Sequence, residues 1–420
     1  TLAISQGAGT YKAGSSFVLV SASSLSGTFD GVTGDSFAGM ASTIVYSAKN
    51  VELDLAKGSG TGTKFLFGTY GKTPNQVAAG NALAAGNPSG ALYIAMGGVV
   101  SADTAAVPGA LGQIAGDIHA SLRSAAIEDS RMMRDSVLER MNVAKGDAAI
   151  WASAFDDHGS IDSDGNASKL NHNNAGFLIG ADMPVAEGFR VGAAAGYTSN
   201  DASTGGRLST ASGNSAHVLA YAGWSDGTID LKLGGDYGWG DIDVTRHVVA
   251  LSGRNNNSEH QQTGQIFGEA GYIFVTDDAT LEPYAGLANV SARTGGFAEK
   301  GSVSALSGGG KSESEIYSTL GIRASLPSGL PLGDLVVVPR LDIGWQHAFD
   351  HFTPDDVLTL QNAAQKFTVM GVPLDSDAAI VQLGVGIPVS DGVTLDVGYD
   401  GSFSGSRHDN AVRGELHWTF

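Results

Sequence analysis

The 420-residue sequence predicts a mostly β protein, a twelve-stranded antiparallel transmembrane β-barrel with an α-helix in its lumen, preceded by a short β-solenoid stub. Three observations carry that expectation. From residue 148 onward, segments of about ten residues put apolar side chains on one face and polar ones on the other, the period of two of a strand. Tight turns and long polar loops take turns between those segments, the build of an outer-membrane barrel. An amphipathic helical stretch stands directly before the first segment.

The alternation is explicit in the residues. In TIDLKLGGDY, Ile229, Leu231, Leu233 and Tyr237 oppose Asp230, Lys232 and Asp236. In IYSTLGIRASL, Ile316, Leu320 and Ile322 oppose Tyr317, Thr319 and Arg323, and in VPRLDIGWQ, Leu341, Ile343 and Trp345 oppose Arg340, Asp342 and Gln346. VTLDVGYD sets Val393, Leu395 and Val397 against Asp396 and Asp400, and the closing segment sets Val412, Leu416, Trp418 and Phe420 against Arg413, Glu415 and His417. Twelve such segments are counted, at 149–157, 173–185, 188–200, 213–225, 228–243, 262–276, 279–293, 312–327, 334–349, 374–389, 392–402 and 408–420; the first and fourth alternate least cleanly. Tight turns fall at 186–188, 225–227, 276–278 and 390–392, and long loops at 158–172, 201–212, 244–261, 294–311 and 350–373. A soluble sandwich also alternates, but its loop lengths have no reason to. Aromatics near segment ends, among them Tyr197, Trp224, Tyr237, Tyr272, Trp345 and Tyr399, suit interfacial girdles. No backbone group can stay unpaired in lipid, so the sheet must close and the last strand must pair with the first.

A lumen of twelve strands is wide enough for one helix. The side chains expected to face it are Arg190, Asp230, Lys232, Asp236, Glu269, Arg323, Arg340, Asp342, Asp396, Arg413 and Glu415, of both signs. The helix spans 107–146, with Leu111, Ile114, Ile118, Leu122, Met133, Val137 and Met141 at three- and four-residue steps. Unbroken, the periodic stretch 107–144, ~38 residues, would be about 57 Å long at 1.5 Å per residue, so a break is expected near Gly112 or Gly116. The pore part is placed around 118–144, with Ile118, Leu122, Arg123, Arg131, Arg134 and Arg140 inside.

Upstream, residues 1–65 hold short β-branched and aromatic runs between Gly turns, as in VELDL, and fit stacked rungs. Residues 66–106 form an Ala-rich linker with short helices. The barrel follows from 147 to 420. The longest uncharged stretch, 73–102, contains Pro88 and repeated Gly, and its apolar part is about half of what a membrane helix needs. Sixty glycines are roughly twice the average usage, and only 16% of residues are charged. The absence of Cys argues against disulfides and thiolate metal sites, and suits a chain that crosses an oxidising compartment unfolded. A formal charge of −19 disfavours nucleic acid as a partner. A start at Thr1, without Met or signal segment, is read as a mature or cut product with native sequence upstream.

This order of parts resembles a monomeric (type Va) autotransporter of a Gram-negative bacterium. GTYKAGSSFVLVSASSLSGTF is similar to the closing rungs of a passenger β-helix, TPNQVAAGNAL to the linker after it, and LGQIAGDIHASLRSAAIEDSRMMRDSVLERM to the pre-barrel helix. The resemblance implies a translocator unit in the bacterial outer membrane that delivers its own upstream passenger and anchors it. Residues 1 to about 105 would then lie at the cell surface, with outer-membrane lipid, the barrel-assembly machinery and periplasmic chaperones as partners. It also implies that the closing strand, with Phe420, Trp418, Leu416 and Gly414, is the assembly signal; Gly414 lies four before Trp418 where three is usual, so weaker recognition is expected. The alternative is a porin-like diffusion channel plugged by the helix.

Chemistry is expected to be absent from the barrel, and no cofactor is implied. DDH at 156–158 falls at a rim where some outer-membrane proteases keep Asp and His, but a single acidic loop start is the better account. His347 and His351 have helical metal-ligand spacing at a strand exit, where that spacing is weak. GGGK at 308–311 lacks the rest of a phosphate loop. In-lumen self-cleavage after an Asn pair is not expected, since the helix offers only Asn142.

Overall fold

The computed structural model describes residues 1–143, 146–333, 335–350 and 352–420. Twelve strands build the barrel: β1 (Ala149–Ile161), β2 (Leu170–Ala186), β3 (Phe189–Thr204), β4 (Ser209–Ser225), β5 (Ile229–Val248) and β6 (Gly253–Tyr272), then β7 (Thr280–Thr294), β8 (Lys311–Ser325), β9 (Leu335–Ala348), β10 (Asp377–Ser390), β11 (Val393–Phe403) and β12 (Arg407–Thr419). Each pairs antiparallel with the next. The sheet closes where β12 meets β1, from Thr419 opposite Ala149 to Arg407 opposite Ile161. Through the lipid band each described barrel strand has a neighbour on both sides, as a backbone in hydrocarbon requires.

The lipid-facing band is the apolar set of the alternation. On β5 it runs from Ile229 through Leu231, Leu233 and Tyr237 to Trp239, all exposed. Ten steps of about 3.3 Å, tilted by roughly 40°, give a band about 25 Å tall. Above Trp239 the same face turns to Asp241 and Asp243, so the strand has left the membrane.

Three loops expected from composition are largely strand. Segments 158–172, 201–212 and 244–261 shrink to connections at 162–169, 205–208 and 249–252, because β1 to β6 continue pairing beyond the lipid. In water both faces of a strand tolerate polar residues, so apolar alternation stops there while backbone pairing does not. The connections at 295–310 and 349–376 remain long. They meet in a small sheet of Phe297–Ala298, Leu306–Gly308, Asp355–Leu360 and Gln365–Met370 over one end of the barrel.

The expected break in the helix falls at Gly116, which takes the left-handed conformation with φ +68°. Before it stands α3 (Val107–Ala115); after it come α4 (Ile118–Asp129) and α5 (Arg131–Val143), meeting at Ser130. The shorter helices α1 (Pro74–Ala85) and α2 (Ala91–Ala102) precede them. Thr73 caps α1 by accepting from the Gln76 backbone N–H. Helices α1 to α3 share a core with the loop sheet, in which Leu83, Met96, Leu111 and Ile114 meet Leu306, Leu358, Leu360 and Val369. The stretch read as a linker is thus docked on the barrel's mouth. In the N-terminal stub, Leu2–Ala3 pairs in parallel with Val32–Thr33 and Met40–Tyr46 with Thr61–Phe65, as stacked rungs do. Asn50–Lys57 pairs antiparallel with two neighbours and finishes the stub as a four-stranded sheet.

Candidate functional site: the helix-filled lumen

Helices α4 and α5 run through the barrel from the mouth covered by α1–α3 to the short-turn end. Twenty-six residues from 118 to 143 would span about 39 Å at 1.5 Å per residue, more than the hydrophobic band. Ile118, Leu122, Arg123, Arg131, Arg134 and Arg140 are all buried there.

The helix meets two kinds of wall. Met132, Met133 and Val137 pack against Trp151, Phe155, Leu178, Leu219, Tyr221 and Phe267. This apolar side stands beside the lumen-facing charges of both signs read from the sequence. It also explains why the first and fourth segments alternate poorly in sequence. β1 does alternate in space, with Trp151 and Phe155 inward and Ile150 outward, but both faces carry apolar residues. Composition cannot separate two apolar faces.

Nearer the mouth a second apolar cluster joins Ile118, Leu122 and Ile127 of α4 to Ile161, Leu170, Val244 and Val290. Apart from the two clusters the interior is charged, with most of its groups paired. On the wall, Lys232 contacts Asp230 and Glu269 at 2.9 Å each. Arg323 pairs with Glu269 and, through Nε, with Asp342 at 2.7 Å, while its guanidinium lies 3.8 Å above the Tyr284 ring. The Tyr284 hydroxyl donates to Asp342 at 2.7 Å. Arg340 bridges Asp396 of the wall to Glu139 of α5, the latter at 3.0 Å. Arg190 pairs with Asp182, Asp236 with His217 at 3.2 Å, and Arg413 lies 3.6 Å from Asp400. Glu415 is buried beside them, at the register of Ser153 and Asp396. At the short-turn end a cavity of about 570 Å³ opens beside Glu139, Asn142, Arg190, Asp230 and Arg340.

Along the helix each turn has its own partner. Arg140 makes a two-pronged bond with Asp182, at 2.7 and 3.0 Å. Arg134 donates to the Gln265 side chain at 3.2 Å. Arg131 reaches Asp135 one turn on, and Glu128 pairs with Arg407. Asp129 takes His172 at 2.8 Å. Near the mouth, Arg123 bonds Glu313 (2.8 Å), Thr294 (2.9 Å), the Asp355 carbonyl (2.8 Å) and Asp356 (3.1 Å). His119 lies between Glu259 at 3.3 Å and Glu299 at 3.0 Å, with its ring stacked on Phe297. Burial pulls the His119 imidazole down, but the two carboxylates more than offset it and lift it to about 9. Burial likewise opposes ionisation of Glu299, yet Arg246 and His119 hold it at about 2. These groups lie above Trp239, outside the lipid band.

The described residues from 118 onward thus form a closed twelve-strand barrel with a helix inside, and the "Autotransporter beta-domain" family matches residues 150–400. The chain belongs to the autotransporter family. Its barrel is the translocator of that family, and its place is the outer membrane. Two curated relatives, each named extracellular serine protease of Serratia marcescens, are 32% identical over 320 residues, 73% of this chain and 30% of theirs. The autotransporter chain therefore spans about 30% of the length of the curated relatives it matches. Among solved structures, the translocator domain of autotransporter NalP from Neisseria meningitidis aligns with a TM-score of 0.60 at 19% identity. That match covers 72% of this chain and 99% of the domain, and supports the fold.

Other residues singled out in the sequence scatter. Period two splits DDH: Asp157 is buried inward, while Asp156 and His158 face outward, 3.3 Å apart. His347 pairs with Asp377 at 2.9 Å, and His351 lies outside the described residues. Lys311 of GGGK is held by Glu313 and Asp355. Trp418 and Phe420 face lipid with ring centroids 5.7 Å apart; Leu416 is exposed on the same side, and a side chain at Gly414 would meet open space. Sequence reading missed His119, Arg246, Glu259 and Glu299. The one signal for them was the pair of cationic residues at 119 and 123, one helical turn apart.

Proposed function

We propose that this autotransporter barrel delivers the passenger joined to its N-terminal side to the cell surface and anchors it there, with residues 1 to about 105 outside. The observation that carries this reading is the course of the chain. The helix fills the lumen and leaves it at the mouth that α1–α3 and the long loops cover. Both barrel ends lie at the short-turn side, which faces the periplasm in barrels of this type. The filled lumen leaves less room for a diffusion channel.

Assembly would rest on the last strand. Trp418, Phe420 and Leu416 offer an aromatic and apolar face to the barrel-assembly machinery, and periplasmic chaperones would hold the unfolded chain before insertion. The passenger's activity belongs to that passenger. The ion-paired lumen is read as non-catalytic, holding a helix.

Because the chain has no Cys, a single cysteine at Ser16 can be probed with a membrane-impermeant thiol reagent on intact cells. Labelling of intact cells is expected. Labelling only after the outer membrane is permeabilised would place this region in the periplasm and return the porin reading.

A further inference from the structure

We propose that the outer mouth carries a built-in catch, formed by Arg246, Glu259, Glu299, Glu313 and Asp356, that arrests the chain at Gly116–Arg123 and sets the helix at one axial register. The proposal rests on the reading of the pore as the passenger's exit, and it names the groups that end the movement.

The first part of the catch grips the elbow. Arg246 of β5 donates through Nη1 to the Gln113 and Ile114 carbonyls, which the end of α3 leaves without helical partners. The same guanidinium pairs with Glu299, whose Oε2 also accepts from the Leu306 backbone N–H at 2.8 Å. Gly116 turns the chain between these groups. A Cβ at that position would stand 2.6 Å from the Leu306 side chain and 3.5 Å from Arg246, at a φ that L side chains rarely adopt. On the far side, Asp117 accepts from the Ser168 backbone N–H at 2.9 Å and faces Arg207 at 3.4 Å.

The second part reads position along the axis. Two cationic residues one turn apart, His119 and Arg123, meet two carboxylate pairs on the wall and loops, Glu259 with Glu299 and Glu313 with Asp356. A slip of one turn is about 5.4 Å. Outward, it would bring Arg123 to the first pair but Ile127 to the second. Inward, it would bring Ala115 to the first pair. Either way buried carboxylates lose their counter-charge, which a low-dielectric site tolerates poorly. The next helical cation, Arg131, is two turns further on, so no neighbouring register satisfies both pairs. His119, Arg123, Arg246, Glu259 and Glu299 are all nearly inaccessible to solvent.

The test uses the purified full chain in planar bilayers. His119→Phe keeps a ring against Phe297, strips the counter-charge from Glu259 and leaves Glu299 to Arg246 alone; Glu259→Gln removes the facing carboxylate instead. Arg140→Gln loosens the helix at the other end and serves as control. Each protein is first required to show the heat-modifiable band of a folded barrel. Pore-open time about tenfold above wild type in both mouth variants, equivalent to about 1.4 kcal/mol, and a smaller rise in the control, is the expected result. Open times like wild type in a folded His119→Phe or Glu259→Gln protein would overturn the catch. So would a larger rise in the control. These recordings need no passenger delivery, so their failure is distinct from periplasmic labelling of residues 1–60.

Discussion

Arg140 and Asp182 join the lumen helix to the second strand through two parallel hydrogen bonds, with both side chains almost wholly buried. Tyr221 donates to the same carboxylate at 3.0 Å and receives the Trp151 indole N–H at 2.7 Å. The pair therefore stands where the charged side of the lumen meets the apolar side.

Removing Asp182 leaves Arg140 buried without its counter-charge, a loss of about 3–5 kcal/mol, whereas without Arg140 the carboxylate keeps Arg190. Asp182→Ala strands both Arg140 and Arg190 and should lower the temperature at which the heat-modifiable band converts. Arg140→Met combined with Asp182→Leu should recover the share of that loss due to Arg140, while Arg190 keeps only the Gly146 and Asp147 carbonyls. An unrecovered double variant would show that the pair's value lies in its charge.

Gly116→Ala tests the elbow. A left-handed non-glycine residue costs about 1–2 kcal/mol, and the added methyl must displace Leu306. The conversion temperature should fall, whereas Gly109→Ala in α3, where nothing lies within 4 Å, should leave it unchanged or raise it.

The mouth should respond to pH. His119 is raised on docking, so its contribution is complete below the ordinary 6.5 and fades as pH climbs through about 9. Glu299 is lowered on docking, so its contribution is complete above the ordinary 4.5 and fades as pH falls through about 2. Glu259, Asp356, Arg123 and Arg246 face the same site. The mouth should be tightest between about 4.5 and 6.5, and pore-open time should climb from pH 7 to 9.5. His119→Phe should flatten that rise.

On the lipid face the discriminating change is Leu233→Arg, at mid-band on β5. A midplane arginine costs about 2–4 kcal/mol in a barrel of this kind. Leu233→Ala should be far milder, because Leu233 touches lipid and fills no core.

Loss of Phe420 should reduce membrane-inserted protein. The Phe420 backbone N–H donates to Ala148 at 2.9 Å, so deletion removes one bond of the closing seam as well as the aromatic group. Phe420→Ala keeps that bond. If Phe420→Ala inserts as wild type while the deletion does not, the aromatic ring is dispensable and the seam bond matters.

Most of the barrel strands and the helix are legible in the sequence because each is a local pattern. Period two marks which side of Ile229–Trp239 meets lipid, period 3.6 marks the helix, and its break is narrowed to Gly112 or Gly116, of which the structure uses Gly116. What chain order could not carry was a choice between faces that look alike, or a contact between distant positions. Trp151 and Phe155 turn inward only because α5 offers them Met132, Met133 and Val137. The strands run past the membrane because backbone pairing continues where apolar alternation has no reason to. The docking of α1–α3 on the loop sheet, and the meeting of His119 with Glu259 and Glu299, join residues up to 295 positions apart. Such pairings leave no spacing in the sequence, because closing the barrel, not the order of residues, brings them together.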